Sequence, residues 1–335
     1  MSRRRNLIKA SSMCVLGLML MTGCSAALAD PGDPGGHGAG GGAGDRSGDG
    51  RPAHQRGGPL LSAEEAAAIT VDADIVYRVV DGEQITLDIC RADDAGDTEA
   101  DDSGSTRAAV MLIHGGGFRA GDKDGRRWQE ICRWIADAGY VAVNLNYRLA
   151  PDHPYPAAFE DVQEGVEWTR AHAGTYGIDP DRIGALGGSA GANLAQLLGS
   201  VGDGETTSGS RVASVVSLSG PSDLTQRALQ LGEPDDRQIQ TVLDYLDCSQ
   251  ITDCPAAEAA SPITHVDPSD PPFLILHSER ERMPVEQAQA LADALTGAGA
   301  TPEVQIRPGY AHATGLLADR SVQSAILDFL ERTLG

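Results

Sequence analysis

The chain has 335 residues, a formal net charge of −22 at pH 7 and 41% apolar residues. That length leaves room for one large domain or two small ones. The charge excludes nucleic-acid binding, which needs Lys and Arg to neutralise phosphate.

The first residues carry most of the clustered positive charge. Arg3-Arg4-Arg5 and Lys9 precede an apolar stretch from Met13 to Met21, followed by small residues. A cationic start, a short apolar run and small residues form an export signal, read here as residues 1–24. The run falls short of the roughly 20 residues of a membrane-spanning helix. Arg4-Arg5-Asn6-Leu7-Ile8-Lys9 resembles a twin-arginine signal, which exports a folded protein. Met21-Thr22-Gly23-Cys24 resembles a bacterial lipobox. Lipidation of Cys24 is therefore expected, with the protein held outside the cytoplasmic membrane through that anchor alone. Cleavage after Ala27-Leu28-Ala29 is the alternative and would yield a secreted protein. Residues 25–59 are rich in Gly and Asp and nearly lack large apolar side chains. Such a segment cannot offset its ordering entropy and reads as a disordered tether. The folded domain is then expected over 60–335.

Within that domain, residues 73–80 and 84–90 read as strands joined by Asp81-Gly82. Ala108–Ile113 is a continuous apolar run, the mark of a buried parallel strand. A helix follows over 125–138, then the strand Tyr140–Leu145 and a helix over 156–173. Arg182–Leu186 reads as a strand, 189–200 as a helix and Val212–Leu218 as a strand. Residues 222–265 are weakly patterned and read as a small helical insertion. The strand Phe273–His277, the helix Val285–Ala298, the strand Glu303–Ile306 and a helix over 321–333 complete the order. Strands alternating with helices imply an α/β fold, a mostly parallel sheet with helices on both faces. Ligands of such sheets bind beyond the carboxyl ends of the strands.

Two glycine-rich motifs fall at those ends. Gly187-Gly188-Ser189-Ala190-Gly191 lies between a strand and a helix. A sharp turn there exposes a serine hydroxyl, and flanking glycines let strand and helix approach closely. In a chain with 41 glycines the pattern alone carries little weight; its place between strand and helix makes Ser189 a candidate nucleophile. His114-Gly115-Gly116-Gly117-Phe118 follows the strand 108–113. Consecutive glycines leave backbone N–H groups open to a developing oxyanion. Gly116, Gly117 and Ala190 are the candidate donors. The phosphate-binding Walker pattern and the dinucleotide Gly-x-Gly-x-x-Gly are both missing at this loop.

Together with Tyr147-Arg148-Leu149-Ala150-Pro151, His153–Ala158, Glu160-Asp161-Val162 and Tyr176–Ile183, these motifs resemble the hormone-sensitive-lipase-like esterases and the similar BD-FAE-like branch of the α/β-hydrolase superfamily. The likeness runs from about residue 70 to the C-terminus and is weakest across 222–265. It implies an α/β-hydrolase fold and hydrolysis of a small carboxylic ester through an acyl-enzyme, with no cofactor and no metal. The superfamily order of serine, acid and histidine selects His312 as base from eight histidines. The acid belongs to the loop after strand 273–277, where the family usually has Asp four residues after a His like His277. Here that position is Glu281, the preferred acid, with Glu279 as competitor; both could instead be solvated charges beside Arg280 and Arg282. Tyr147–Pro151 and Asp161 look structural in this setting.

Of six cysteines, four lie in the folded domain. Outside the cytoplasm these oxidise. Cys248 and Cys254, close together in a polar loop, are expected to pair. Cys132 shares a helical face with Trp128, Ile131 and Ile135, so a buried free thiol accounts for it; its pairing with Cys90 is not legible. The spacings do not suit zinc. A peptidase of the same superfamily and a non-catalytic surface binding protein on a hydrolase scaffold are the competing readings. Acyl-chain length and oligomeric state are not written in the sequence.

Overall fold

The computed structural model describes residues 58–92 and 106–335. The export signal, Cys24 and nearly all of the tether lie outside the described residues.

The short helix α1 (Ala63–Ala67) precedes an antiparallel hairpin, in which β1 (Ile69–Val80) turns into β2 (Glu83–Ala92). Asp81 and Gly82 both have positive φ, 52° and 88°. A two-residue turn of this kind matches strand twist, and Asp-Gly adopts it with little strain. Then come β3 (Arg107–Ile113), β4 (Val141–Leu145), β5 (Ile178–Gly188), β6 (Ser214–Leu218), β7 (Phe273–Ser278) and β8 (Glu303–Arg307). They form one eight-stranded sheet of order β1-β2-β4-β3-β5-β6-β7-β8. β2 meets both β1 and β4 antiparallel, and every later pairing is parallel. β4, β6 and β7 are buried at every position. That is why they read as apolar runs without alternation.

Successive strand residues feed opposite faces. Met111 and Ile113 join a core with α3 (Ala157–Ala171), α5 (Ala190–Ser200) and α8 (Val285–Gly297). Val110 and Leu112 join the other, with α2 (Arg126–Asp137) and α9 (Arg320–Leu334). Truncating a fully buried residue such as Ile135 or Phe329 is expected to cost about 2–5 kcal/mol.

Cys132 is not a free thiol. Its sulfur is bonded to Cys90 at 2.08 Å, with the Cα atoms 5.8 Å apart. β4 lies beside β2, with Cys90 opposite Ala142, and α2 packs across both strands. The helical periodicity correctly points Cys132 inward, but its partner is set by sheet order. Cys248 and Cys254 are also joined, with a Cα separation of 5.5 Å.

The insertion after β6 contains α6 (Asp236–Leu246), α7 (Ala256–Ala259) and three short 3-10 turns. Asp235 and Gln238 form a reciprocal capping box that starts α6. Both ends of the insertion are tied to one side chain: buried Asn193 of α5 donates to Pro221 O at 3.0 Å and to Ala260 O at 3.2 Å.

Candidate active site

The register of the parallel strands brings their carboxyl ends level. Ile113 pairs with Gly187, Gly188 with Leu218, and Leu218 with Leu276. The loops that leave these ends carry the candidate residues.

Ser189 has φ 56° and ψ −120°, a conformation costly for a residue with a Cβ. Its N–H donates to Leu218 O at 2.8 Å, and α5 starts at the next residue. A Cβ at Gly191 would lie 2.1 Å from Ile113 O, so only glycine permits this crossing of helix and strand. Ser189 Oγ is 2.9 Å from His312 Nε2, and His312 Nδ1 is hydrogen-bonded to Glu281 Oε2. His312 lies after β8 and Glu281 after β7.

The Glu281 side chain is fully buried. Its Oε1 accepts from Ser219 Oγ at 2.7 Å and from Ser278 N at 3.0 Å, with His277 Nδ1 3.0 Å away. Burial pushes this carboxyl up, but hydrogen bonds and charge from His277 and His312 outweigh it and hold the group at about 2. Glu279, two residues earlier, is exposed, and its backbone N–H donates to Arg307 O. Arg280 lies over the Tyr310 ring, 4.7 Å from its centroid.

The glycine loop abuts the serine: a Cβ at Gly115 would lie 2.6 Å from Gly188 O and 3.1 Å from Ser189 Cβ. Gly116 and Gly117 have φ of 135° and 63°. Their N–H groups make no backbone hydrogen bond among the described residues. Ala190 N is at the first turn of α5, where N–H groups lack an intrahelical acceptor. His114 is buried and stacked on Tyr147, whose hydroxyl donates to His114 O at 2.8 Å. Burial lowers the His114 pKa. Downstream, buried Lys123 bonds to Asp74, Asp88 and Asp124 at 2.8–3.0 Å, tying the loop to β1 and β2. Burial opposes its charge, but the three carboxylates outweigh that and raise its pKa. Asp161, also buried, accepts from Arg148 N and Nε and from Arg78, fixing the Tyr147–Pro151 turn.

The remaining histidines lie elsewhere. His153 approaches Glu83, His172 stacks on Trp168, and His265 bonds to Ala259 O. His37 and His54 lie outside the described residues. Among the described residues, no group of His, Cys, Asp or Glu could hold a metal.

A cavity of about 800 Å³, counted with its open mouth, adjoins Ser189. Its wall is mainly apolar, with Phe118, Leu224, Leu229, Ile239, Val242 and Met283. Most of that wall comes from the insertion. The sequence reading missed Ser219 and His277. Ser219 belongs to no motif and meets Glu281 only through strand order. His277, four residues before Glu281 on the strand that leads into the acid loop, served in the sequence only to mark the acid position, and its contact with the carboxylate was not read.

The BD-FAE family profile matches residues 98–295. The chain is 29% identical over 291 residues to the probable carboxylic ester hydrolase LipM of Mycobacterium tuberculosis, covering 80% of this chain and 62% of that protein. It is 33% identical over 238 residues to esterase LipQ of the same organism, covering 67% and 55%. The chain thus spans less than two thirds of either relative. The butyrate-bound structure of a Thermogutta terrifontis esterase, Est2, superposes with a TM-score of 0.59 at 25% identity, over 78% of this chain and 95% of that one.

Proposed function

We propose, on the premise that this chain belongs to the BD-FAE family, that it hydrolyses small carboxylic esters through an acyl-enzyme on Ser189. The observation that carries this reading is the continuous relay from Ser189 Oγ through His312 to Glu281. His312 Nε2 takes the hydroxyl proton as Oγ attacks the ester carbonyl. Glu281 holds the imidazole by Nδ1 and stabilises the imidazolium that forms. The N–H groups of Gly116, Gly117 and Ala190 receive the negative charge of the tetrahedral intermediate. As that intermediate collapses, the C–O bond to the alcohol breaks, and His312 returns the proton to the leaving oxygen. Water, deprotonated by His312, then attacks the acyl carbon, the bond from that carbon to Ser189 Oγ breaks, His312 returns the proton to Oγ, and the acid departs. The apolar cavity beside Ser189 accommodates the acyl or alcohol part. The relatives named as ester hydrolases support the same chemistry.

The test is Ser189→Ala in the purified protein, assayed on nitrophenyl butyrate. Hydrolysis is expected to fall by about 10⁴-fold or more, and covalent labelling by a fluorophosphonate to vanish. Hydrolysis at the parent rate would remove Ser189 from its role. A non-catalytic scaffold would leave even the parent protein unlabelled.

Export with lipidation at Cys24 is part of the proposal and is supported by the basic, apolar and lipobox-like pattern of residues 1–24. Metabolic labelling with a fatty acid should mark the parent and not Cys24→Ala.

A further inference from the structure

The dipeptide Leu218-Ser219, at the end of β6, touches the nucleophile, the acid and the residue that follows the base. Leu218 O accepts the Ser189 N–H at 2.8 Å. Ser219 Oγ lies 2.7 Å from Glu281 Oε1 and 2.9 Å from the N–H of Ala313, the residue after His312. The direction of the hydroxyl proton follows from chemistry. The Ala313 N–H can only donate, and an ionised carboxylate can only accept. The Ser219 oxygen therefore accepts from Ala313 and donates to Glu281. This one hydroxyl spans from the acid to the loop that carries the base.

We infer that Ser219 is a positioning residue of the reaction, whose hydroxyl fixes the Glu281 carboxylate and the His312 loop relative to each other. The inference rests on the relay proposed above. β6 is the strand that separates the nucleophile strand β5 from the acid strand β7, and its end reaches both loops. Ser278, at the end of β7, adds a second link, its hydroxyl donating to Ala311 O at 2.7 Å while its N–H donates to Glu281. Glutamate has one more rotatable bond than aspartate. Ser219 and the Ser278 N–H hold Oε1 and leave Oε2 to His312. His277 and His312 are the titratable groups against this carboxylate among the described residues. His277 Nδ1 also lies 2.8 Å from Ser278 O. Ser219 and Ala313 have φ of 56° and 51°, backbone strain concentrated on the two residues joined by this hydrogen bond.

That φ supplies the decisive variant. Glycine suits a positive φ, so Ser219→Gly removes the hydroxyl while relaxing the backbone. On nitrophenyl butyrate, kcat is expected to fall about tenfold to a hundredfold, the loss of a hydrogen bond to a charged group, with KM within about twofold. The carboxyl carbon of Glu281, followed by NMR in protein labelled with ¹³C-glutamate, should titrate at higher pH than in the parent, because a donor to the charged form is gone. A folded Ser219→Gly protein with kcat within about twofold of the parent and an unmoved Glu281 titration overturns the inference. Should the variant not fold, the Ala313 amide of the parent decides. Slow hydrogen exchange supports its bond to Ser219, and exchange at the rate of an open loop overturns it. Neither NMR readout depends on turnover. Failure of the ester-hydrolase reading, seen as hydrolysis by Ser189→Ala, is therefore distinguishable from failure of the Ser219 link.

Discussion

Phe118 lies flat on Tyr245, with ring centroids 3.7 Å apart and planes inclined by 6°. One ring follows the glycine loop and the other belongs to α6 of the insertion. The pair joins the oxyanion side of the site to the wall of the cavity.

Tyr245 is fully buried, and its hydroxyl has no hydrogen-bond partner among the described residues. Tyr245→Phe should therefore keep activity and raise stability by about 1 kcal/mol, the desolvation cost of an unpaired hydroxyl. Tyr245→Ala removes the stacked ring and should cost about 3–5 kcal/mol, with a higher KM. Thermal denaturation and steady-state kinetics on both variants check this. A Tyr245→Phe protein clearly less stable than its parent contradicts the first expectation.

The two carboxylates of the acid loop should separate cleanly. Glu281→Gln loses the charge that orients His312, and kcat should fall by about 10²–10⁴-fold. Glu279→Gln changes an exposed side chain and should leave kcat within about twofold. Equal losses in the two variants would contradict the geometry.

Acid stability should carry the mark of Glu281. Its folded pKa of about 2 lies below the ordinary value of 4.5, so the unfolded chain takes up the proton first as pH falls. The stabilisation is complete above about 4.5 and is lost on descending to about 2, and amounts to something on the order of 3 kcal/mol. Urea denaturation between pH 6 and pH 3 should show a steeper decline for the parent than for Glu281→Gln. Parallel curves would mean that the carboxyl titrates alike in both states.

Reduction should weaken the fold unequally through its two disulfides. Cys90–Cys132 closes a loop with a sequence separation of 42, against 6 for Cys248–Cys254. Loop-closure entropy favours the longer bridge. Replacing Cys90 and Cys132 by Ala should cost about 2–4 kcal/mol, more than replacing the other pair. Melting of the two double variants tests the order.

The parts legible in the sequence were those fixed by neighbouring residues. Asp81-Gly82 marks a hairpin, five residues mark the elbow at Ser189, and apolar runs mark strands that are covered on both faces. The domain's element order also survives, although β1 starts earlier, at Ile69, and β5 is longer, at Ile178–Gly188. The preference for Glu281 over Glu279 came only from the family position four residues after His277, not from the charged run itself. The two share one charged run, and only Ser219, His277 and His312, from different strands or loops, distinguish them. The Cys90–Cys132 bridge was hidden for a similar reason, because a buried thiol and a half-cystine produce the same helical pattern. Ser219 lacked any signal: a serine at a strand end is ordinary until the neighbouring loops are placed around it.

Asn193 holds Pro221 and Ala260 with a single amide nitrogen. The two ends of the insertion therefore meet at one point on a buried central helix, and most of the cavity wall lies between them. Coincident ends of this kind are what an exchangeable cassette requires. Grafts from related chains cut at Pro221 and Ala260 should transplant substrate preference while leaving the relay in place. The seam to match in such a graft is the ring that must lie on Phe118.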